Sequence, residues 1–265
     1  MTLAPFGRRL APLVENREVG AYRLLVVHDA EGPDNPQPGQ FYMLAAEEGW
    51  GAGESERPYL PRAFSFARAR EGRLWFLLED VGPGTHRLAE LEAGENLWLT
   101  GPLGIGFKVA EGSSPILVGG GIGTAPLLCL QDELGPEPPV LLGFRTAEHA
   151  EAASLFQGDP HLSTDDGSTG RQALVTELLR EELDLQSAIR NPQVFACGPP
   201  PMLEAIRALA AEREVAAQLA LESGMACGFG ACFGCVVPTK TGYVRLCVDG
   251  PVLDAAELDT ALAAH

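Results

Sequence analysis

Over the first hundred positions, apolar residues fall in short runs cut by glycine and proline. Residues 21–27, 40–44, 63–66, 74–78 and 96–99 are such runs. Runs of this length, separated by turn residues, predict strands of an antiparallel barrel or sandwich. The Gly- and Glu-rich stretch 47–57 reads as a mobile loop between two of them. From about position 112 the texture changes. Ile116-Leu117-Val118 predicts a buried strand, 124–134 a helix and 140–144 a second strand. A helix over 172–185, a strand over 193–196 and a helix over 201–213 follow. Strands alternating with helices imply a parallel α/β sheet. From about 219 the chain becomes cysteine-rich and ends in a short acidic tail, too small for a core of its own. The expected fold class is therefore a β barrel plus α/β. An antiparallel barrel spans 1–110, a parallel-sheet nucleotide domain 111–218 and a small C-terminal module 219–265.

Composition narrows the function. The chain has 265 residues, 46% of them hydrophobic, which is ample for a buried core. It carries 36 acidic against 19 basic residues, a formal net charge of −17. A nucleic-acid binder would need a basic patch to neutralise phosphates, and none is offered. The same charge argues against a protein held on anionic lipid. Lys108 and Lys240 are the only lysines. No stretch approaches the roughly 18 uninterrupted apolar residues of a membrane span. No apolar block of signal-peptide length follows the N-terminus. A cytoplasmic location is expected, where cysteines rarely form structural disulfides. Of the six cysteines, Cys227, Cys232, Cys235 and Cys247 crowd into 21 residues, which points to metal.

The spacing Cys227-x4-Cys232-x2-Cys235, with Cys247 to follow, is the plant-type arrangement for a [2Fe–2S] cluster. Four thiolates converging on two irons require a tightly wrapped loop. Gly224, Gly228, Gly230 and Gly234 allow the turns and let amide N–H groups approach the sulfurs. The competing reading is structural zinc, which prefers paired C-x2-C knuckles. A second signal is Gly119-Gly120-Gly121-Ile122-Gly123-Thr124-Ala125-Pro126, after a strand and opening a helix. That is the context of a dinucleotide phosphate loop, with Gly120, Gly121, Gly123 and Thr124 at the ligand. It departs from G-x-G-x-x-G, and a tight βα turn would look similar. Cys197-Gly198-Pro199 again puts glycine and proline between strand and helix, at the sheet edge where ligands bind. Cys129 reads as a buried helix residue. In the barrel, Arg62-Ala63-Phe64-Ser65 and Gly82-Pro83-Gly84-Thr85 could serve a flavin diphosphate and ring, or be an ordinary strand and turn.

Taken together these residues resemble the electron-transfer subunits of two-component, NAD-dependent dihydroorotate dehydrogenases, within the ferredoxin reductase superfamily. The resemblance covers nearly the whole chain. It runs through Pro38-Gly39-Gln40-Phe41, Arg62 to Ser65, Gly84-Thr85, Gly101-Pro102-Leu103-Gly104, the glycine run, Thr164-Asp165-Asp166-Gly167-Ser168 and Cys197-Gly198-Pro199. It ends at Met225-Ala226-Cys227 and Cys247-x-Asp249-Gly250-Pro251, the most specific parts. Phe64 stands where relatives often have Tyr. The resemblance implies FAD at the domain junction. Arg62, Ala63, Phe64 and Ser65 would take its pyrophosphate and ring, Leu77, Leu78 and Glu79 would line it, and Gly84-Thr85 would meet its phosphates.

It further implies a partner FMN subunit that oxidises dihydroorotate in pyrimidine biosynthesis, in a heterotetramer of two plus two. Electrons would pass through the [2Fe–2S] cluster and FAD to NAD+ as substrate. No acid–base residue is assigned, because the chemistry belongs to the cofactors. An NAD(P)H–ferredoxin or sulfhydrogenase-type reductase subunit shares the scaffold and is the alternative. An iron–sulfur scaffold without FAD is a second. For the nicotinamide, Arg145 at the end of a strand would suit NADP, whereas the acid expected about 20 residues past the glycine loop is met first by Glu148. The resemblance favours NAD. Phe229 and Phe233, set among glycines beside the cysteines, suit an interface core, or else pack inward.

Overall fold

The computed structural model describes residues 7–51, 58–185 and 191–262. The expected loop 47–57 lies partly outside them. The first sheet is built from β1 (Arg8–Val19), β2 (Tyr22–His28), β3 (Phe41–Ala46), β4 (Arg62–Ser65), β5 (Arg68–Arg70) and β6 (Arg73–Leu78). Helix α1 (Pro83–Ala89) then leads to β7 (Asn96–Leu103). The order is β4-β3-β7-β1-β2-β6-β5, antiparallel throughout. Its edge strands β4 and β5 are consecutive in the chain, with only Phe66 and Ala67 between them. The sheet must therefore curl until its edges approach, which makes the expected barrel. Strand β1, at twelve residues, is longer than the short strands that the apolar runs predict. It pairs with β7 through Pro12, bulges between Leu13 and Glu15, and continues on β2. Such a bulge lets one strand turn a barrel corner.

Alternation along the strands divides the side chains between cores. On β3, Tyr42, Leu44 and Ala46 fill the barrel, while Phe41 and Met43 join a core shared with the C-terminal segment. On β6, Leu74, Phe76 and Leu78 point into the barrel and Leu77 points toward the second domain. Phe66 and Phe76 both meet the Tyr42 ring edge-on, at 6.0 and 5.7 Å.

The second sheet starts with β8 (Ser114–Gly120), a 3-10 turn (Gly121–Thr124) and α2 (Ala125–Leu134). Next come β9 (Val140–Phe144), α3 (Ala147–Ala150), β10 (His161–Thr164), β11 (Arg171–Gln172) and α4 (Val175–Leu185). Then follow β12 (Pro192–Cys197), α5 (Pro200–Arg213) and β13 (Ala216–Ala220). Strand order is β11-β10-β9-β8-β12-β13, all parallel. Gln172, expected in a helix, pairs with Thr164 at the sheet edge. The helix begins only at Val175, where the Glu177 carboxylate accepts the Leu174 N–H at 3.1 Å. Chain order reverses between β8 and β12, the crevice where open α/β sheets bind ligands.

The expected boundary at 218 falls inside β13. The cysteine segment leaves the sheet after Ala220, forms the hairpin β14 (Val236–Thr239) and β15 (Gly242–Arg245) and then α6 (Leu246–Asp249). It rejoins the sheet as β16 (Val252–Asp254), antiparallel to β13. Cys235, Val237, Leu246 and Cys247 share one core with Ile116, Val118 and Val194 of the sheet. The segment thus packs on its neighbours and is not a separate body. The connection from the barrel is held by two buried glutamines: Gln193 and Gln218 each donate to the Lys108 carbonyl, at 3.0 and 2.9 Å. No helix among the described residues is long and apolar enough to cross a membrane.

Candidate functional site

Two cavities open at the carboxyl edge of the second sheet, and they touch. The first, about 270 Å³, lies between β4, β6, the glycine turn and the segment after β13. Of the residues expected around a flavin, Ala63, Phe64, Ser65, Leu77, Glu79 and Thr85 line it. Leu78 does not: period-2 alternation sends its side chain into the barrel core, where it is fully buried. Arg62 and Gly84 stand together beside the cavity. The Arg62 guanidinium lies against the Gly84 backbone, donates to the Leu60 carbonyl at 2.7 Å and sits 5.9 Å over the Trp50 ring. The Thr85 hydroxyl is taken up by its own turn. It accepts the Val81 and Gly82 N–H groups and donates to the Gly82 carbonyl, each at 2.9 Å. That uses its one donor and both lone pairs, so Thr85 shapes the loop.

The second cavity, about 680 Å³, extends over the ends of β8, β9, β10 and β12. Its size is that of a small-molecule cleft. Gly120, Gly121, Gly123, Gly198 and Pro199 line it, as expected of a phosphate loop and its neighbour. Thr124 is buried behind the turn. Gly123 is required sterically: a Cβ there would stand 2.5 Å from the Gly198 nitrogen and 2.6 Å from the Cys197 carbonyl carbon. The two loops therefore touch backbone to backbone. Tyr22 Oη and Ser163 Oγ, both buried and lining this cavity, have no hydrogen-bond partner among the described residues. Buried polar atoms without partners are costly, and a polar ligand in this cavity would satisfy both.

Glu79, Val81, Ile122, Gly123 and Glu222 border both cavities. Glu222 opens onto the cavity space yet is ringed by protein, and that desolvation raises its carboxyl pKa. Cys197, on the wall of the first cavity, is buried, and burial pushes its thiol pKa well up, so it stays neutral. Arg145 is exposed at its strand end and ion-paired there. It pairs with Glu79 across the domain boundary and meets His149 Nε2 at 2.8 Å. The sequence pattern by itself does not mark Glu222, Ser163 or Asp165 as cavity residues. Their one signal is position just after a strand, where the sheet edge gathers them.

The cysteines form two pairs. Cys235 and Cys247 are buried with their sulfurs 3.2 Å apart. Cys227, half-buried, is hydrogen-bonded to the exposed Cys232. Among the described residues no group of three or more His, Cys, Asp or Glu gathers as for one metal ion. Two thiol pairs are the donor set two irons would need. Burial raises the Cys227 thiol, but backbone N–H groups, chiefly that of Phe229, outweigh it and bring the pKa down to about 6. The Gly230 N–H donates to Cys247 Sγ at 3.1 Å. Its φ of +83° and a Cβ position 2.7 Å from Val248 Cγ2 explain the glycine there. Phe233 is 63% exposed, with the Arg245 guanidinium 5.2 Å over its ring; Phe229 is exposed as well.

Residues 222–259 match the family described as the iron-sulfur cluster binding domain of dihydroorotate dehydrogenase B. The chain is 34% identical over 256 residues to the "dihydroorotate dehydrogenase B (NAD(+)), electron transfer subunit" of Caldanaerobacter subterraneus subsp. tengcongensis. That alignment covers 94% of this chain and 97% of the relative. This chain belongs to that family of electron-transfer subunits. Its counterpart in Bacillus caldolyticus is 37% identical over 236 residues, covering 84% of this chain and 86% of the relative. Among solved structures, one described as an NADH-dependent reduced ferredoxin-NADP oxidoreductase superposes with a TM-score of 0.77 at 26% identity. It covers 96% of this chain and 91% of that one. A ferredoxin reductase of carbazole 1,9a-dioxygenase, at 23% identity and a TM-score of 0.63, shares the fold over 79% of this chain and 66% of its own. The family match begins at Glu222, on the wall between the cavities, and takes in all four paired cysteines.

Proposed function

We propose that this chain passes electrons from dihydroorotate, oxidised in an FMN-containing catalytic subunit, through a [2Fe–2S] cluster and FAD to NAD+, in pyrimidine (UMP) biosynthesis. One observation carries the reading: the three sites are continuous. The nucleotide cavity shares a wall with the first cavity, and Met225, which lines that first cavity, lies two residues before Cys227. When bound, FAD and the cluster supply the conversion between single-electron and hydride transfer, which no side chain can perform.

The chain's residues hold and orient. Cys227 with Cys232, and Cys235 with Cys247, would each hold one iron. Ala63, Phe64, Ser65 and Leu77 would flank the flavin, with Arg62 beside its phosphates. The glycine turn ahead of α2 offers backbone N–H groups and a positive helix end to a dinucleotide pyrophosphate. Buried Cys197 contributes a neutral thiol to the wall of the first cavity. Exposed Phe229 and Phe233 beside the cysteines support a docked catalytic subunit, as does a neighbouring groove walled by Trp50, Tyr59, Trp98 and Cys227. We take the assembly as two of each chain, working in the cytoplasm.

The isolated, cofactor-loaded chain should oxidise NADH with an artificial acceptor and form no orotate. Co-expression with the FMN subunit should restore dihydroorotate activity and give a larger species on size exclusion. Orotate formation by the isolated chain would overturn the subunit reading. The solved NADH-dependent ferredoxin-NADP oxidoreductase favours a second reading, a ferredoxin-type reductase subunit. Dihydroorotate-dependent NAD+ reduction in the co-expressed complex excludes it.

A further inference from the structure

We propose that Arg245 is a positioning residue of the cysteine loop: it clamps the surface pair of thiols to the buried pair, and its cation favours the reduced state of the cluster they would hold. The inference rests on the [2Fe–2S] reading and deepens it. The anchored side comes first. Arg245 ends β15 two residues before Cys247, and it pairs with Val236, the residue after Cys235. The Leu246 N–H donates to the Cys235 carbonyl at 3.0 Å, and the Arg245 N–H to Asp249 Oδ2 at 2.9 Å. The Arg245 backbone is therefore fixed beside the buried pair. Its side chain runs the other way. Nη1 donates to the Gly230 carbonyl at 3.1 Å, and the guanidinium carbon lies 5.2 Å over the Phe233 ring. Gly230 belongs to the stretch between Cys227 and Cys232, and Phe233 to the stretch between Cys232 and Cys235. One side chain thus holds both turns of the motif.

Gly230 carries the contact inward. Its N–H donates to Cys247 Sγ at 3.1 Å, so one residue is tied both to a buried sulfur and to the clamp. A Cβ at Gly230 would stand 3.1 Å from Arg245 Nη1 and crowd the guanidinium off the loop. Charge gives Arg245 a second role. A cluster held by four thiolates is an anion, and reduction makes it more negative. Nearby charge is therefore one of the quantities that set its potential. Residues 222–259 carry Glu222, Asp249, Asp254, Glu257 and Asp259 against two cations, Lys240 and Arg245. Lys240 is turned to the Ala256 carbonyl, at 2.8 Å. Arg8 shares a groove with Cys227, but its guanidinium lies 4.4 Å over the Trp98 ring. Arg245 is the cation seated on the loop itself. Asp249 Oδ2, 3.8 Å from its Nε, offsets part of that charge. The two groups push the potential in opposite directions.

The test is a redox titration of the cluster in the cofactor-loaded chain, followed by electron paramagnetic resonance, alongside the rate of iron loss to a chelator. Arg245→Gln should shift the equilibrium toward the oxidised cluster at least about threefold and lose iron faster. Arg245→Lys, which keeps the charge, should stay closer than that to the wild-type potential. Asp249→Asn, whose amide oxygen can still accept the Arg245 N–H, should shift the equilibrium toward the reduced cluster. Lys240→Gln should change neither readout. A merely structural role would alter iron loss and leave the potential of the retained cluster where it was. Wild-type potential or wild-type iron loss in Arg245→Gln would overturn the assignment, as would an Asp249→Asn chain with no shift toward the reduced state. If Arg245→Gln takes up no cluster, the other two variants decide. A loaded Arg245→Lys chain near the wild-type potential, with Asp249→Asn shifted as stated, upholds the assignment, and failure of either overturns it. A wild-type chain that takes up no cluster would instead remove the iron–sulfur reading itself.

Discussion

The cleft and the cysteine loop hold their functional groups by different means. The cleft's walls are strand ends and tight turns locked by two hydrogen-bonded sheets, and its glycines touch backbone to backbone. Its shape is set before anything binds. The cysteine loop is secured on one side only. Cys235 and Cys247 are anchored in the shared core, whereas Cys227 and Cys232 sit on a glycine-rich turn at the surface, held by N–H···S contacts near 3.5 Å. The fold thus supplies half of a metal site, and the metal completes the other half.

The largest expected effect separates these regions outright. Cys235→Ser replaces a thiolate with an oxygen poorly suited to iron–sulfur ligation. The purified variant should lack iron and sulfide while retaining flavin absorbance. A full cluster in it would break the comparison. The converse variant is Gly123→Ala. Its new methyl would press on the Gly198 and Cys197 backbone, which cannot swing aside as a side chain would. A cost of about 1–3 kcal/mol is expected from such overpacking. Flavin content and ADP-ribose affinity should fall together, with iron content unchanged, as read by thermal melts and cofactor analysis.

The same division governs what could be read from the sequence. Cysteine spacing and the glycine run are local patterns, and both stand where they were expected. Strands β2, β3 and β6 announced themselves by apolar runs. Strand β1 did not, because Arg8–Val19 is half polar and contains Pro12, which usually demotes a strand. Strand β13, Ala-Ala-Gln-Leu-Ala, has little β propensity and is made a strand by its place between β12 and β16. Leu77 and Leu78 could have been told apart by alternation alone. Glu79 and Arg145 could not have been paired in advance, since they lie 66 positions apart and only the meeting of two domains joins them. Asp165 and Glu222 look like solvated acids until the sheet edge is assembled.

A smaller effect probes the open side of the loop. Phe233 has a φ of +58°, a left-handed conformation rare for a bulky residue. Such strain costs on the order of 1 kcal/mol and tends to persist at functional surfaces. Phe233→Asn should stabilise the isolated chain by about 1 kcal/mol in chemical denaturation. It should also weaken association with the catalytic subunit at least tenfold. If association is untouched, the exposed ring serves no interface.

The smallest effect concerns the tie that closes the chain's C-terminal end. Glu204, on α5, bonds the Arg207 guanidinium at 2.6 Å and also accepts the Ala261 N–H at 2.6 Å and the Thr260 hydroxyl at 3.1 Å. The Arg207 hydrogen bond, aided by these two donors, lowers its carboxyl pKa from the usual 4.5 to about 2. A depressed carboxylate contributes stability that is fully present above its unfolded pKa and is lost as pH falls toward the folded one. The window here is pH 4.5 to about 2. Because the pair is partly solvent-screened, the contribution is under about 1 kcal/mol. Glu204→Gln should therefore lower stability slightly at pH 7, and the difference from wild type should shrink as pH drops below 4.5. Denaturant midpoints taken across that range test the sign. A gap that instead widens on acidification would mean that the carboxylate is not the group holding the C-terminal end against α5.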